Sequence, residues 1–256
     1  MMLCKTNPKH NYEDDNWIYQ LKFDGIRANW KEGELYNRRG KCISFLFPEI
    51  IEEMENLGVD MFFDGEIVVP YHDFNDGIAK RIHLKNEKDI EERSKMLPAQ
   101  FVAFDVLEFN GGDIRFKPLK ERLSFLSKIS AGDCFAVAEC FGDGLTLLAN
   151  TKEVGGEGIV AKHLNSSYSD CRSNHWIKIK NWNEMDIVAV KYDTNPKGIT
   201  IETAEGIRCA VNGKQHEVVK EKIDACGKAL VEIQYLEKTK LGKPRFPSYN
   251  KLKGGL

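Results

Sequence analysis

At 256 residues, 42% hydrophobic and 30% charged, the chain has the composition of an ordinary globular protein with room for one large domain or a medium domain plus a small one. No run approaches the ~20 apolar residues that a membrane-spanning helix needs, and residues 1–10 contain no apolar core of a secretory signal, so the expectation is a cytoplasmic protein. The net charge of −2 and pI near 6.3 argue against nucleic acid as a partner until the chain is divided.

In chain order, residues 18–21 read as a short strand feeding the loop after it. Residues 46–58 read as a helix, with Pro48 near its first turn and Gly58 as its stop. A strand over 62–69 is interrupted by Asp64-Gly65, and 85–97 is a charged, helix-prone stretch ending before Pro98. Residues 101–109 form a buried strand, 118–126 an amphipathic helix opened by proline, and 158–162 and 176–180 two further strands. Alternating strands and helices with antiparallel pairing give an α+β domain. Beyond residues 182–185 the pattern becomes short strands at 186–190, 198–201, 206–211 and 229–235, with one helix over 217–226 that ends at Gly227. That arrangement is what an OB-fold β-barrel looks like. The domains expected are 1–184 and 185–256.

Charge follows the same division. Residues 186–256 carry 13 Lys and Arg against 9 Asp and Glu, and residues 1–185 carry 24 against 30. The last 19 residues hold Lys238, Lys240, Lys243, Arg245, Lys251 and Lys253 with no acid among them, a local cluster of the kind that contacts backbone phosphates. Seven cysteines without a C-x-x-C pair, and six histidines without an H-x-x-x-H pair, suit neither a disulfide framework nor a transition-metal site.

The chemistry concentrates in Lys22-Phe23-Asp24-Gly25-Ile26-Arg27. A protonated lysine is a poor nucleophile, and its ordinary pKa near ~10.4 keeps it protonated at neutral pH. A site that uses it to attack phosphorus must desolvate it or surround it with positive charge. Gly25 allows close backbone approach, and Arg27 presents a fork of donors suited to phosphate or ribose oxygens.

Four further segments follow in order: Phe63-Asp64-Gly65-Glu66, Phe101-Val102-Ala103-Phe104-Asp105, Glu157-Gly158-Ile159-Val160-Ala161-Lys162 and Trp176-Ile177-Lys178-Ile179-Lys180. Together with the K-x-D-G-x-R hexapeptide they resemble the collinear motifs of the covalent nucleotidyltransferases, which are ATP-dependent DNA ligases, RNA ligases and mRNA-capping guanylyltransferases. The resemblance covers nearly the whole chain and is strongest to minimal ATP-dependent DNA ligases of phage or bacterial type. It implies an adenylation domain with antiparallel sheets and flanking helices followed by an OB-fold domain. The activity it implies is sealing of 3′-hydroxyl/5′-phosphate nicks in duplex DNA through lysyl-AMP and adenylated-DNA intermediates. ATP is the implied AMP donor, Mg²⁺ (with Mn²⁺ as a substitute) the metal, nicked duplex DNA the partner, and the monomer the working form.

The resemblance also implies residue roles. Lys22 is the adenylated nucleophile, with Asp24, Arg27, Lys178 and Lys180 in the catalytic set. Arg27 and Arg38 match positions that bind ribose and phosphate and later the nick phosphate. Glu66 matches an acid for ribose or metal, Phe104 the ring that stacks on adenine, and Glu157 the metal-binding acid. Lys162, Lys178 and Lys180 complete the nucleotide set. Lys178 and Lys180, two apart on a strand, share a face, and the family uses that pair on the α-phosphate. Lys240, Lys243 and Arg245 are the expected DNA contacts, beside Arg38.

Gln20 stands where relatives often carry an acid that reads the adenine amino group; its amide can accept that hydrogen bond or donate one. Lys251-Leu252-Lys253 replaces the more usual arginine-containing ending, which leaves open whether Arg245, Lys251 or Lys253 serves the pyrophosphate step. An mRNA-capping guanylyltransferase is the nearest alternative. An RNA ligase fits Asp24 and Arg27 less well, and a nucleic-acid-binding protein that kept the fold without catalysis is the non-enzyme alternative.

Overall fold

The computed structural model describes residues 1–7, 10–58, 60–239 and 242–254. The chain divides into two compact units, Met1–Ile179 and Lys180–Leu256. The first contains strands β1 (Leu3–Thr6), β2 (Trp17–Leu21), β3 (Ile26–Lys31), β4 (Glu34–Asn37), β5 (Met61–Val68), β6 (Gln100–Phe109), β7 (Gly112–Asp113), β8 (Phe135–Val137), β9 (Gly158–His163) and β10 (Arg172–Lys180), the last ending on the first residue of the second unit. Its helices are α1 (Pro48–Asn56), α2 (Ala79–Ile82), α3 (Glu87–Met96), α4 (Leu119–Leu126) and α5 (Gly144–Glu153).

Two sheets result. The larger runs β4-β3-β5-β6-β7 with β8 joined to β6, and the smaller runs β1-β10-β9-β2. Period-two alternation decides which side of each strand is buried where. Phe101 and Ala103 of β6, with Phe63 and Ile67 of β5 and Ala28 and Trp30 of β3, face a core shared with Ile50 and Met54 of α1 and Ile90 of α3. The intervening Val102 and Phe104 face the other way, into a cluster with Trp176 of β10, Met2 and Tyr168. On the smaller sheet, Tyr19, Ile159, Ala161 and Ile177 pack with Leu147 of α5. Residues of opposite parity on β2, β9 and β10 therefore look back toward the larger sheet.

Local signals account for the helix ends. Pro48 occupies the first turn of α1, where its missing N–H costs nothing. Asn86 caps α3 by accepting from the Lys88 N–H at 2.9 Å, and Asp143 caps α5 by accepting from the Thr146 N–H at 3.0 Å. Two glycines let the motif strands meet. A Cβ on Gly25 would lie 2.2 Å from the Ile67 carbonyl oxygen, and one on Gly65 would lie 2.6 Å from the Phe101 ring.

The second unit is a closed five-stranded barrel in the order β11-β12-β13-β15-β14, formed by β11 (Asn183–Asn195), β12 (Gly198–Thr203), β13 (Arg208–Asn212), β14 (Ala229–Tyr235) and β15 (Ser248–Leu252). Helix α6 (Gln215–Cys226) lies between β13 and β14 in sequence and stops at Gly227, whose φ of 70° suits glycine. β13 and β15 close the barrel through a parallel pairing of Ala210 with Ser248. The α+β architecture with an OB-like barrel is thus the observed one. β1, β3, β4, β7, β8, α2, α5 and β15 go beyond the elements read from sequence. Among the described residues no helix is long and apolar enough to cross a membrane, and all seven cysteines are free.

Candidate active site

The cleft between the two sheets of the first unit is lined by Cys4, Gln20, Lys22, Arg27, Glu66, Phe104, Val160, Lys162, Trp176 and Lys178, among others. Strand parity brings them together. Gln20 and Lys22 alternate with the packed Tyr19, Val160 and Lys162 with Ile159 and Ala161, and Trp176 and Lys178 with Ile177. Arg27 and Glu66 likewise alternate with Ala28 and Ile67.

Lys22 follows β2, its backbone fixed by donation of its N–H to the Gly158 carbonyl at 2.9 Å. Its Nζ lies 2.6 Å from Glu157 Oε2. A nearly buried carboxylate beside an amine is an arrangement that holds a proton or accepts one. Across the cleft, Arg27 donates from Nε to Asp64 Oδ1 and from Nη2 to Asp64 Oδ2, each at 2.6 Å, and from Nη2 to the Met2 carbonyl at 3.1 Å. Burial works against the guanidinium charge, but Asp64 outweighs it and holds the Arg27 pKa above its ordinary value. The same guanidinium lies 4.6 Å from the centroid of Phe104.

Lys162 is 2% exposed. Its ammonium donates to the Phe104 carbonyl at 2.9 Å and sits 4.3 Å and 4.1 Å from the ring centroids of Phe104 and Trp176, cation–π contacts that partly offset desolvation. Burial still pulls its pKa down to about 8, against the pull of Asp105 and Asp64. Glu66 is pushed up to about 7 by burial, with Arg27 and Lys22 opposing and Asp64 and Glu157 adding to the rise. The cleft therefore gathers Lys22, Arg27, Lys162 and Lys178 around three carboxylates, Asp64, Glu66 and Glu157, a field with more cations than acids and suited to a polyanionic ligand.

Gln20 is 1% exposed. Its Nε2 donates to the Ala138 carbonyl at 3.4 Å and to Cys140 Sγ at 3.3 Å, while Oε1 is buried with no hydrogen-bond partner. The Ala138 carbonyl accepts only, so it fixes the amide with Oε1 as the open acceptor.

Other anticipated residues lie elsewhere. Asp24 sits in the turn between β2 and β3 and does not line the cleft; Arg38 is exposed in the turn after β4. Lys180, at the end of β10, lies 5.4 Å from the Trp182 ring centroid. Lys240 falls outside the described residues. The cationic tail is less free than its sequence implies. Arg245 pairs with Glu237, Lys251 with Glu232, and Lys253 with both Asp186 and Glu232, because the fold brings upstream acids to it. Lys243 and Lys238 remain exposed. Sequence reading did not single out Asp64, Cys4, Trp176 or Tyr168 as site residues. Asp64 and Trp176 stand inside the quoted motifs, whereas Cys4 and Tyr168 carry no local signal.

A half-buried lysine beside a carboxylate, in a cleft of cations and aromatic rings and followed in sequence by an OB-like barrel, defines the nucleotidyltransferase fold of ligases. Residues 1–180 match the ATP-dependent DNA ligase domain, and the chain belongs to that family. It is 28% identical over 261 residues to the SPbeta prophage-derived DNA ligase-like protein LigB of Bacillus subtilis, covering 94% of each chain. It is also 31% identical over 191 residues to the multifunctional non-homologous end joining protein LigD of Pseudomonas aeruginosa, covering 71% of this chain and 22% of that one. Among solved structures, a Lig E DNA ligase, described as binding DNA with a minimal scaffold, superposes with a TM-score of 0.73 at 21% identity, over 99% of this chain and 98% of the other.

Proposed function

We propose that the chain is an ATP-dependent DNA ligase that seals 3′-hydroxyl/5′-phosphate nicks in duplex DNA, with Lys22 as its nucleophile. The observation that carries this reading is the 2.6 Å contact of Lys22 Nζ with Glu157 Oε2 inside the cation-lined cleft. In the first step Lys22 Nζ attacks the α-phosphorus of ATP, forming a P–N bond as the bond to pyrophosphate breaks. The amine must first give up a proton, and Glu157 Oε2 is within reach to hold it. Lys178 and Lys162 offset the negative charge that builds on phosphoryl oxygens, since catalysis here is mainly positioning and electrostatic stabilisation. AMP then passes to the 5′-phosphate of the nick, and the 3′-hydroxyl attacks that phosphate and displaces AMP. Arg27, with Arg38 as a second contact, serves the ribose and phosphates, and Lys180 joins Lys178 on phosphate.

The adenine ring lies against Phe104 with Val160 lining the same cleft, and its amino group donates to Gln20 Oε1. Guanine presents a carbonyl oxygen at the corresponding position, which would face an acceptor, so this reading favours ATP over GTP.

Glu66 and Glu157 fit a divalent cation. They are oxygen donors that raise the energy of each other's charge, and among the described residues no three His, Cys, Asp or Glu side chains form a closed metal cluster. Mg²⁺ commonly binds through one or two carboxylates together with substrate phosphate. When bound, it would neutralise phosphate charge and lower the cost of the attack.

The test is to incubate the protein with Mg²⁺ and either α-labelled ATP or α-labelled GTP, denature it, and measure covalently retained label, with nicked duplex added in a second reaction. Label from ATP and sealed product support the ligase. Label from GTP alone would replace it with a capping guanylyltransferase, and label from neither would leave a nucleic-acid-binding protein.

A further inference from the structure

Arg27 reaches the cleft on a long, flexible side chain, and its far end is fixed by two groups, the Asp64 carboxylate and the Met2 carbonyl. Those two groups are joined by a third. Tyr168, in the loop between β9 and β10, donates its hydroxyl to Asp64 Oδ2 at 2.7 Å and accepts the Met2 backbone N–H at 2.9 Å. Asp64 is fully buried. Its Oδ1 accepts from Arg27 Nε and from Asn29 Nδ2 at 3.1 Å, and its Oδ2 accepts from Arg27 Nη2 and from Tyr168. Four donors thus occupy the roughly four acceptor sites of an ionised carboxylate, which leaves it one orientation. The Tyr168 ring is held edge-on to Trp176, with centroids 5.9 Å apart. Burial, then Asp64, keep its hydroxyl in the protonated, donating form by raising its pKa.

We propose that Tyr168 is a positioning residue for Arg27: its hydroxyl locks the Asp64 carboxylate and the Met2 peptide in the arrangement that aims the guanidinium into the cleft over Phe104. Without the hydroxyl, one acceptor site on a buried carboxylate and one buried backbone N–H lose their partner, and the carboxylate gains freedom to rotate with its guanidinium. The functional consequence rests on the ligase reading; the geometric one does not.

The experiment combines Tyr168→Phe, which keeps the ring, with Arg27→Lys, which keeps the charge but lacks the fork. In the full-length protein, single-turnover transfer of AMP from labelled ATP to protein is measured for wild type, both single variants and the double variant, with thermal unfolding of each. A hydrogen bond to a charged group is worth enough for about a tenfold effect. Tyr168→Phe should therefore slow transfer about tenfold with Arg27 present, and less than about twofold in the Arg27→Lys background. Equal fold losses in the two backgrounds would show that Tyr168 acts on the fold alone and would overturn the proposal. A second readout needs no catalysis: hydrogen exchange at Arg27 Nε–H, followed by NMR on protein labelled at arginine nitrogens. Exchange should accelerate about tenfold in Tyr168→Phe, and unchanged exchange would refute the positioning role. Absence of label in the wild type would remove the ligase reading while leaving the exchange measurement to decide the role of Tyr168.

Discussion

Lys162→Met tests the electrostatics of the cleft most directly. The thioether keeps the length of the side chain and is polarizable enough to lie between the Phe104 and Trp176 rings, while the ammonium is lost. Burial brings the Lys162 pKa to about 8 from the ordinary 10.5, a gap worth about 3.4 kcal/mol. The unfolded chain binds this proton more tightly than the folded one. Lys162 therefore favours folding most above the unfolded pKa of 10.5, and that contribution is lost as pH falls through about 8. Integrating the linkage from pH 7 to pH 10 gives about 2.5 kcal/mol. Urea unfolding of wild type and variant at pH 7, 8.5 and 10 isolates this residue, because other titrating groups cancel in the difference. The wild type should gain about 2.5 kcal/mol on the variant across that range. A difference constant to within about 0.5 kcal/mol, or one that moves the other way, would mean the ammonium is solvated and the cleft is not the desolvated cationic site described.

Three other outcomes follow from the same geometry. Lys22→Ala should take up no covalent AMP yet still seal pre-adenylated nicked DNA, where that nucleophile is not needed; denaturing-gel detection of label decides it, and persistent label would move the nucleophile elsewhere. Phe104→Ala should weaken ATP binding by ~1–3 kcal/mol of lost stacking, read by titration, and also lower stability by ~3–5 kcal/mol because the ring is packed; unchanged ATP affinity would make Phe104 a core residue only. Lys243→Ala should flatten the dependence of log nick affinity on log salt by about 0.9, while Arg245→Ala, already paired with Glu237, should flatten it much less. Equal slopes for the two variants would show that the Arg245–Glu237 pair opens on DNA.

Strand parity explains how much of the site the sequence reveals. Residues 160 and 162, and 176 and 178, each flank an apolar residue that packs with Leu147 of α5, and Gln20 follows Tyr19 of the same cluster, so a period-two pattern already separates most cleft-facing side chains from the packed ones. Slipping β9 or β10 by one residue would put Lys162 or Lys178 into the core cluster of Tyr19, Ile159 and Ile177. The same logic places Asp64 on the cleft side of β5. It does not say that Asp64 pairs with Arg27, because a carboxylate on the right face has many possible counter-ions until the neighbouring strand is aligned.

What the sequence hides is of one physical kind: partners supplied by segments with no periodic pattern. Tyr168 lies in a loop, where neither alternation nor helical spacing tells which way a ring points, and its value depends on Met2 and Asp64, 166 and 104 residues away. The basic tail hides the opposite effect. Read linearly, the last 19 residues are uncompensated cations, but barrel pairing sets Glu232 of β14 against Lys251 of β15, and Glu237 and Asp186 take Arg245 and Lys253. Local charge density in sequence therefore overstates the positive surface available to phosphate, and Lys243 and Lys238 keep the stronger claim to it. Lys251 is exposed, and the buried Glu232 also holds Lys253 and Asn250, so a phosphate that took Lys251 would not leave that carboxylate unpaired. The less exposed Arg245, packed on Phe246 with its guanidinium 4.8 Å from the ring centroid, would give up more by switching partners, and this difference is what separates a reserve of mobile counter-charge from a fixed structural contact.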